Sequence, residues 1–278
     1  MCQNTMIYVT DQRQKYLAEY LQGKKRPKQE CNDFSLIKRM ILPTPVSKLE
    51  QHSTENEQLK DLLLSTSDVT VFGGKFTKAW KEFLEEHQIS YVDLMEDEVV
   101  ALENAKITAE AAIAVILQNS LYSIRGEKAI VTGYGRCGRE IANALAALGG
   151  KVTVLARKGE HRKLAKQDGH NAMDFAYGPE EAYGTRIFVN TVPAMVVTEP
   201  MVREMHRDSL IVDIASSPGG CDFEAANKYG ITAKLALGLP GLYTTTSSAE
   251  LLRNAISKYA PLKNEVREGK SWIFQIII

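Results

Sequence analysis

The amino-acid sequence predicts an α/β protein built from parallel, doubly wound sheets. Two observations predict it. Apolar runs of about five residues alternate along the chain with segments of helical spacing, the pattern of parallel strands joined by right-handed crossovers. The runs are continuously apolar rather than alternating, as in a sheet covered on both faces. A length of 278 residues suggests two such domains.

The first half reads more loosely than the second. Residues 7–9 predict a strand, followed by a helix over about 12–21, and residues 40–42 a strand that stops at Pro43. Residues 69–72 form the next strand, ending at Gly73-Gly74, then a helix over about 77–87 and a strand over 90–92. The stretch 24–33 is polar, basic and proline-containing, and reads as a solvated loop. Residues 107–122 predict a long apolar helix connecting the two domains. In the second half, KAIVT (128–132) is a strand that runs into a glycine cluster. Residues 136–148 have helical spacing, with Ile141, Leu145 and Leu148 on one face. Strands follow at 151–155, 186–190, 210–214 and 231–235, with helices at 161–167 and 249–259.

Composition narrows the class. Lys and Arg number 34 and so do Asp and Glu, which argues against a basic field for nucleic acid. The longest apolar candidate, 107–121, is interrupted by Glu110, Gln118 and Asn119, and the apolar tail 272–278 is short, so no membrane span is expected. The N-terminus lacks a basic stretch followed by an apolar core, and the expected compartment is the cytoplasm. Cys2, Cys31, Cys137 and Cys221 are scattered and match neither zinc spacing nor a disulfide framework, so no metal site is expected.

The most informative segment is Gly133-Tyr134-Gly135-Arg136-Cys137-Gly138, a G-x-G-x-x-G placed after a strand and opening a helix. Gly133 serves the tight turn, Gly135 lets the backbone approach a pyrophosphate, and Gly138 lets the helix pack on the strand. The helix N-terminus then offers free N–H groups and a positive dipole end to phosphate. This makes the second domain a Rossmann-type sheet for a nicotinamide dinucleotide. An acidic residue closing the next strand would hold the ribose of NAD; the chain has Arg157 and Lys158 there, which suit the 2′-phosphate of NADP. Use of NAD stays open, as does a merely solvated pair of cations. Arg136 and Cys137 fill the loop.

Further candidates cluster at strand ends. Asn190 closes a strand, and Thr191, Val192 and Pro193 follow it at the carboxyl edge, where ligands bind in open α/β folds. Asp213, Ser216 and Ser217 precede Pro218-Gly219-Gly220 at the end of the next strand; Asp213 either handles a proton or caps a turn. Leu239, Pro240 and Gly241 form a rigid corner that either passes under a nicotinamide ring or turns between domains. Asn104, Thr108 and Glu110 start the connector helix, where a cleft is expected, though Thr108 also suits a helix cap. Arg13 either pairs with a substrate carboxylate or stands in solvent.

Taken in order, Gly133–Arg157, Asn190–Pro193, DIASSPGGCDF (213–223) and LGLPGL (237–242) resemble the dipicolinate synthase A-subunit family. The first half agrees through TDQRQ (10–14), ILP (41–43), Asn104 and TAEAA (108–112). A looser likeness to the cofactor domain of alanine dehydrogenases lies in the 213–223 and 237–242 segments. The chain departs from the pattern at Ser217, where the family carries arginine, and in lacking glycines before the Asp-x-Arg-Gln. The interval between Leu21 and Ile41 is also short for the usual second strand. The resemblance implies an NADP-linked oxidation of a small cyclic dicarboxylate, a hydroxylated tetrahydrodipicolinate of the lysine branch or its dehydrated form. It implies dipicolinate as product and the cytoplasm of the mother cell of a sporulating bacterium as location. The implied partner is a second, flavoprotein-like subunit.

The expected organisation is a smaller flavodoxin-like α/β domain over 1–120, a Rossmann domain over 121–245, and a C-terminal segment 246–278 whose helix returns to the first domain. The expected site assigns Asp213, Glu110 and Asn104 to chemistry, and Arg13, Thr108, Ser216 and Ser217 to substrate. The glycine loop, Arg157, Lys158, Thr191–Pro193 and Leu239–Gly241 are assigned to cofactor. A homo-oligomer is left open. Two rival readings stand beside this one: an imino- or amino-acid reductase related to alanine dehydrogenase, and a non-catalytic NAD(P)-sensing subunit.

Overall fold

A computed structural model describes residues 4–22, 37–260 and 273–277. The stretch 24–33, Cys2, Cys31, Trp272 and Ile278 lie outside the described residues. The elements run β1 (Asn4–Val9), α1 (Gln12–Gln22), β2 (Ile37–Ile41), α2 (Ser53–Ser65), β3 (Thr70–Gly73), α3 (Lys78–Glu86), β4 (Ser90–Asp93) and α4 (Glu98–Asn119). They continue with β5 (Lys128–Thr132), α5 (Arg136–Ala147), β6 (Lys151–Leu155), α6 (Gly159–Gln167), β7 (Asn171–Met173), α7 (Gly178–Ala182) and β8 (Ile187–Asn190). The last are α8 (Glu199–Glu204), β9 (Leu210–Asp213), α9 (Phe223–Lys228), β10 (Thr232–Leu235), α10 (Thr245–Tyr259) and β11 (Ile273–Ile277).

Two compact units result: residues 1–104 with 240–278, and residues 105–239. The boundaries read from the sequence were 120/121 and 245/246. In the first unit five parallel strands run in the order β11-β1-β2-β3-β4. The flavodoxin order is 2-1-3-4-5, with the second strand beside the first. Here the C-terminal strand β11 takes that place, which accounts for the short interval between Leu21 and Ile41.

Strand alternation divides the first unit's core into two faces. Met6 and Tyr8 of β1 pack with Val71, Trp80 and Leu84 on one side. Ile7 and Val9 pack with Leu17, Leu252 and Ile256 on the other, so α1 and α10 cover the same face. Helix starts are set by short polar side chains. The Thr77 hydroxyl accepts from Trp80 N at 3.3 Å, and Asp97 Oδ1 accepts from Val99 N at 3.0 Å ahead of α4.

In the second unit six parallel strands run β10-β9-β8-β5-β6-β7. Numbered within the unit, this is the 3-2-1-4-5-6 order of dinucleotide-binding sheets, with its reversal between β5 and β8. Ile130, Phe188 and Ile211 from adjacent strands share a core with Val202 and Ala226.

Several expectations shift. The connector helix spans Glu98–Asn119 rather than 107–122, because Asp97 caps it earlier. Helix α5 buries Ile141 and Leu145, but Leu148 is 43% exposed because it is the C-cap, where the helical face has ended. Strands β7 and β11 and helices α2, α7, α8 and α9 were not read from the sequence. Among the described residues no helix is long and apolar enough to cross a membrane. No group of three or more His, Cys, Asp or Glu among those residues is placed to hold a metal.

Candidate dinucleotide and substrate site

The glycine turn lies at the sheet reversal of the second unit. Gly133 has φ +82°, a conformation that side chains other than glycine rarely adopt, and its N–H donates to Leu155 O at 2.8 Å. A Cβ on Gly133 would meet Thr191 Oγ1 at 2.7 Å. A Cβ on Gly138 would stand 2.5 Å from Gly133 O. Both glycines therefore serve close packing inside the protein. Gly135 differs: it is the exposed N-cap of α5, and a Cβ there would meet nothing within 4 Å. The space over Gly135 and the first N–H groups of α5 is a cradle that fits a pyrophosphate. Arg136 is exposed and Cys137 half-buried at the same helix start.

Tyr134 is buried, and its hydroxyl donates to Asp168 Oδ2 at 2.7 Å. Arg139 of α5 grips the same carboxylate in bidentate fashion, at 2.8 and 3.0 Å. Burial, then the bond to Asp168, pushes the Tyr134 phenol well above its ordinary range, so it stays a donor. Asp168 is held below the ordinary carboxylate range, first by its bond from Arg139. The His170 imidazole, in contact with Asn143 Oδ1 at 2.8 Å, is pushed down by burial. These side chains fix α5 against the glycine turn.

A second network joins the ends of β5, β8 and β9. Thr132 Oγ1 donates to Asn190 Oδ1 at 2.5 Å, and Asn190 Nδ2 donates to Asp213 Oδ1 at 2.8 Å. Asp213 is fully buried and also accepts from Ala215 N and Gly220 N, each at 2.9 Å. The carboxylate clamps the 215–220 loop into a closed turn. A Cβ on Gly220 would lie 2.5 Å from Ala194 O, so the loop also packs on the 190–194 segment. The clamp leaves Ser216 and Ser217 exposed at the carboxyl edge, with Thr191 and Val192 half-buried and Pro193 exposed beside them in sequence. Thr191 Oγ1 donates to Thr132 O at 2.6 Å. Burial pushes the Cys221 thiol up to about 12, which rules out a thiolate there.

At the end of β6, Arg157 and Lys158 are both exposed, and Lys158 lies 3.4 Å from Glu160. No acidic residue stands at the strand end. Sequence reasoning missed Arg162, whose Nη1 donates to Ala156 O, Arg157 O and Asp174 Oδ2 at 2.6, 2.7 and 2.6 Å.

The remaining candidates divide between the units. Arg13 is 2% exposed; it donates to Thr44 O and, at 3.5 Å, to Ser248 Oγ, with Asp11 3.8 Å away. Asp11 also pairs with Lys48 at 2.6 Å. Burial pushes the Arg13 guanidinium down, with Asp11 opposing. The side chain is therefore enclosed in the first unit rather than standing in solvent. Gly241 belongs to that unit too, and a Cβ on it would meet Asp11 Oδ2 at 2.7 Å. Leu239 and Pro240 are buried. On α4, Asn104 is half-buried, Thr108 buried and Glu110 exposed.

A glycine turn at the reversal point of a 3-2-1-4-5-6 sheet, beside a basic strand end, defines a dinucleotide-binding α/β protein of the dehydrogenase class. Residues 101–271 match the family described as "Alanine dehydrogenase/PNT, C-terminal domain". The chain is 32% identical over 252 residues to the dipicolinate synthase A subunit of Bacillus subtilis (strain 168), covering 87% of this chain and 84% of that protein. It resembles the crystal structure of the dipicolinate synthase A subunit from Bacillus halodurans, with TM-score 0.78 and 24% identity over 94% of this chain and 98% of that one. The crystal structure of the Bacillus subtilis dipicolinate synthase A chain gives TM-score 0.76 and 26% identity over 97% and 98% of the two chains. In fold alone the chain is also similar to the transhydrogenase from Sinorhizobium meliloti, at TM-score 0.62 and 12% identity over 94% and 95% of the two chains.

The chain belongs to the dipicolinate synthase A-subunit family and carries an alanine dehydrogenase/PNT C-terminal domain. Membership gives it an NAD(P)-linked oxidoreductase type of domain and a dehydrogenase-like role. Its standing as an A-type polypeptide of a multi-subunit synthase implies a partner.

Proposed function

We propose that this chain is the NADP-dependent dehydrogenase subunit that forms dipicolinate from a hydroxylated tetrahydrodipicolinate or its dehydrated form. In this reading it works in the cytoplasm of a sporulating cell with a second, flavoprotein-like subunit. The observation that carries the reading is the open face of Gly135 at the start of α5, in a chain 32% identical to a dipicolinate synthase A subunit.

The dehydrated form yields dipicolinate by losing one hydride and one proton; the hydroxylated form must first lose water. A nicotinamide supplies the hydride acceptor when the dinucleotide is bound. Aromatisation drives the step, so the protein's share is binding, orientation and proton management. Gly135 and the α5 N-terminus hold the pyrophosphate. Arg157, with Lys158, meets the 2′-phosphate. Thr191–Pro193 border the remainder of the cofactor.

Ser216 and Ser217, exposed on the clamped loop, offer hydroxyl donors to a substrate carboxylate. Asp213 is committed to three donors and acts as a positioning group for that loop. Glu110, exposed on α4, is the carboxylate assigned to exchange the proton; Thr108, two residues earlier, is buried on another face of the helix. Arg13 is assigned to supporting the first unit's edge, since its bonds are internal.

The test is a coupled assay. Pyruvate and aspartate semialdehyde are condensed by the lysine-branch synthase, then this chain and NADP are added, and dipicolinate is read by terbium luminescence. Luminescence is expected, either with the chain alone or only with the second subunit. No luminescence in either case, with NADP binding intact, would contradict the reading. That result would favour a reductase of the alanine dehydrogenase type, which the domain match also supports.

A further inference from the structure

The turn after β6 concentrates positive charge. Residues 157–163 carry Arg157, Lys158, Arg162 and Lys163 against Glu160 alone, a formal +3 in a chain whose net charge is zero. Four cations in seven residues repel one another, so a defined turn needs an internal anchor. Arg162 supplies it. Its Nη1 lies 2.6 Å from Asp174 Oδ2 and also meets the carbonyls of Ala156 and Arg157, the two that leave the strand end. The Arg162 side chain is 28% exposed and Asp174 40%, so the pair sits at the rim rather than in the core.

The bonds have a directional consequence. With the Ala156 and Arg157 carbonyls drawn to Arg162, the backbone at 156–157 is fixed while the Arg157 side chain stays exposed. Lys158 is partly engaged by Glu160 at 3.4 Å, which leaves Arg157 as the principal cation for an incoming dianion. We infer that Arg162, anchored by Asp174, is a specificity-determining positioning residue: it holds the turn so that Arg157 meets a 2′-phosphate, and so sets the preference for NADP over NAD. The inference rests on the NADP reading above.

The experiment measures dissociation constants of NADPH and NADH by enhancement of nicotinamide fluorescence, using the full chain. Wild type should bind NADPH more tightly. Arg162→Ala should weaken NADPH about tenfold, the size of one charge-assisted hydrogen bond, and leave NADH within about twofold. Arg162→Lys should recover part of the loss, since an ammonium reaches some of the same acceptors. Asp174→Asn should shift the ratio in the same direction, and it keeps the inference testable where Arg162→Ala fails to fold.

Equal weakening of both cofactors, or none of either, would overturn the positioning role. Arg157→Glu separates the two levels. If it abolishes the NADPH preference while Arg162→Ala and Asp174→Asn leave it intact, the inference falls and the NADP reading stands. If wild type shows no preference for NADPH, both fall.

Discussion

Gly135→Ala separates the two uses of glycine in the turn. Gly135 has φ −78° and ψ −170°, extended backbone that alanine adopts, and its added Cβ would meet nothing within 4 Å. Two small effects on stability oppose each other. Alanine lowers the entropy of the unfolded chain by about 0.4–1 kcal/mol. Alanine is also a poorer N-cap than glycine, at a cost of about 0.5–1 kcal/mol. The net change should stay within about 0.5 kcal/mol by urea unfolding.

Binding should respond differently. The methyl group occupies the space assigned to the pyrophosphate, which must then give up at least one charge-assisted bond from the α5 N-terminus. One such bond is worth about 1.5–3 kcal/mol, or about 10- to 150-fold in affinity. Isothermal titration with NADP should show that loss in a protein of normal stability. Gly138→Ala is the contrast: its Cβ would stand 2.5 Å from Gly133 O, and overpacking should cost about 1–3 kcal/mol of stability. If Gly135→Ala binds NADP within about twofold of wild type, the pyrophosphate does not lie over Gly135 and the reasoning fails.

Asp213→Asn keeps one accepting oxygen but turns an amide N–H toward a former donor, so one buried N–H is orphaned; urea unfolding should show a loss of about 1–3 kcal/mol, and a neutral result would remove the clamp role. Arg13→Ala should destabilise the protein by about 2–3 kcal/mol through the freed Thr44 carbonyl and Ser248; an unchanged unfolding curve with turnover abolished would return Arg13 to the substrate. Burial holds the His170 pKa below its ordinary 6.5, so the unfolded chain binds the extra proton. The associated stability is present above that value and lost as pH falls through the lower folded pKa. Unfolding followed from about pH 7.5 to about pH 5 should show this decline, and His170→Gln should flatten it.

Much of the site was legible because its parts are local. The glycine spacing, the strand before it and the missing acid at the end of β6 occupy one stretch of 31 residues, 128–158. The supporting side chains were not legible. Arg162 finds Asp174 twelve residues on, and Arg139 finds Asp168 twenty-nine residues on, pairings created by the packing of α5 and α6 against the sheet. Arg13 read as a solvent-facing or substrate group because its enclosure comes from Thr44 and Ser248, the latter 235 residues away. Strand β11 carries an apolar signal, but its place beside β1 is a long-range pairing with no local marker. Strand β7 is three residues long, too short for an apolar pattern.

The most direct test is a crystal structure of the full chain grown with NADP. The pyrophosphate should lie over Gly135 at the start of α5, and the 2′-phosphate against Arg157. Density for the dinucleotide anywhere else, or a 2′-phosphate turned away from the β6–α6 turn, would contradict it.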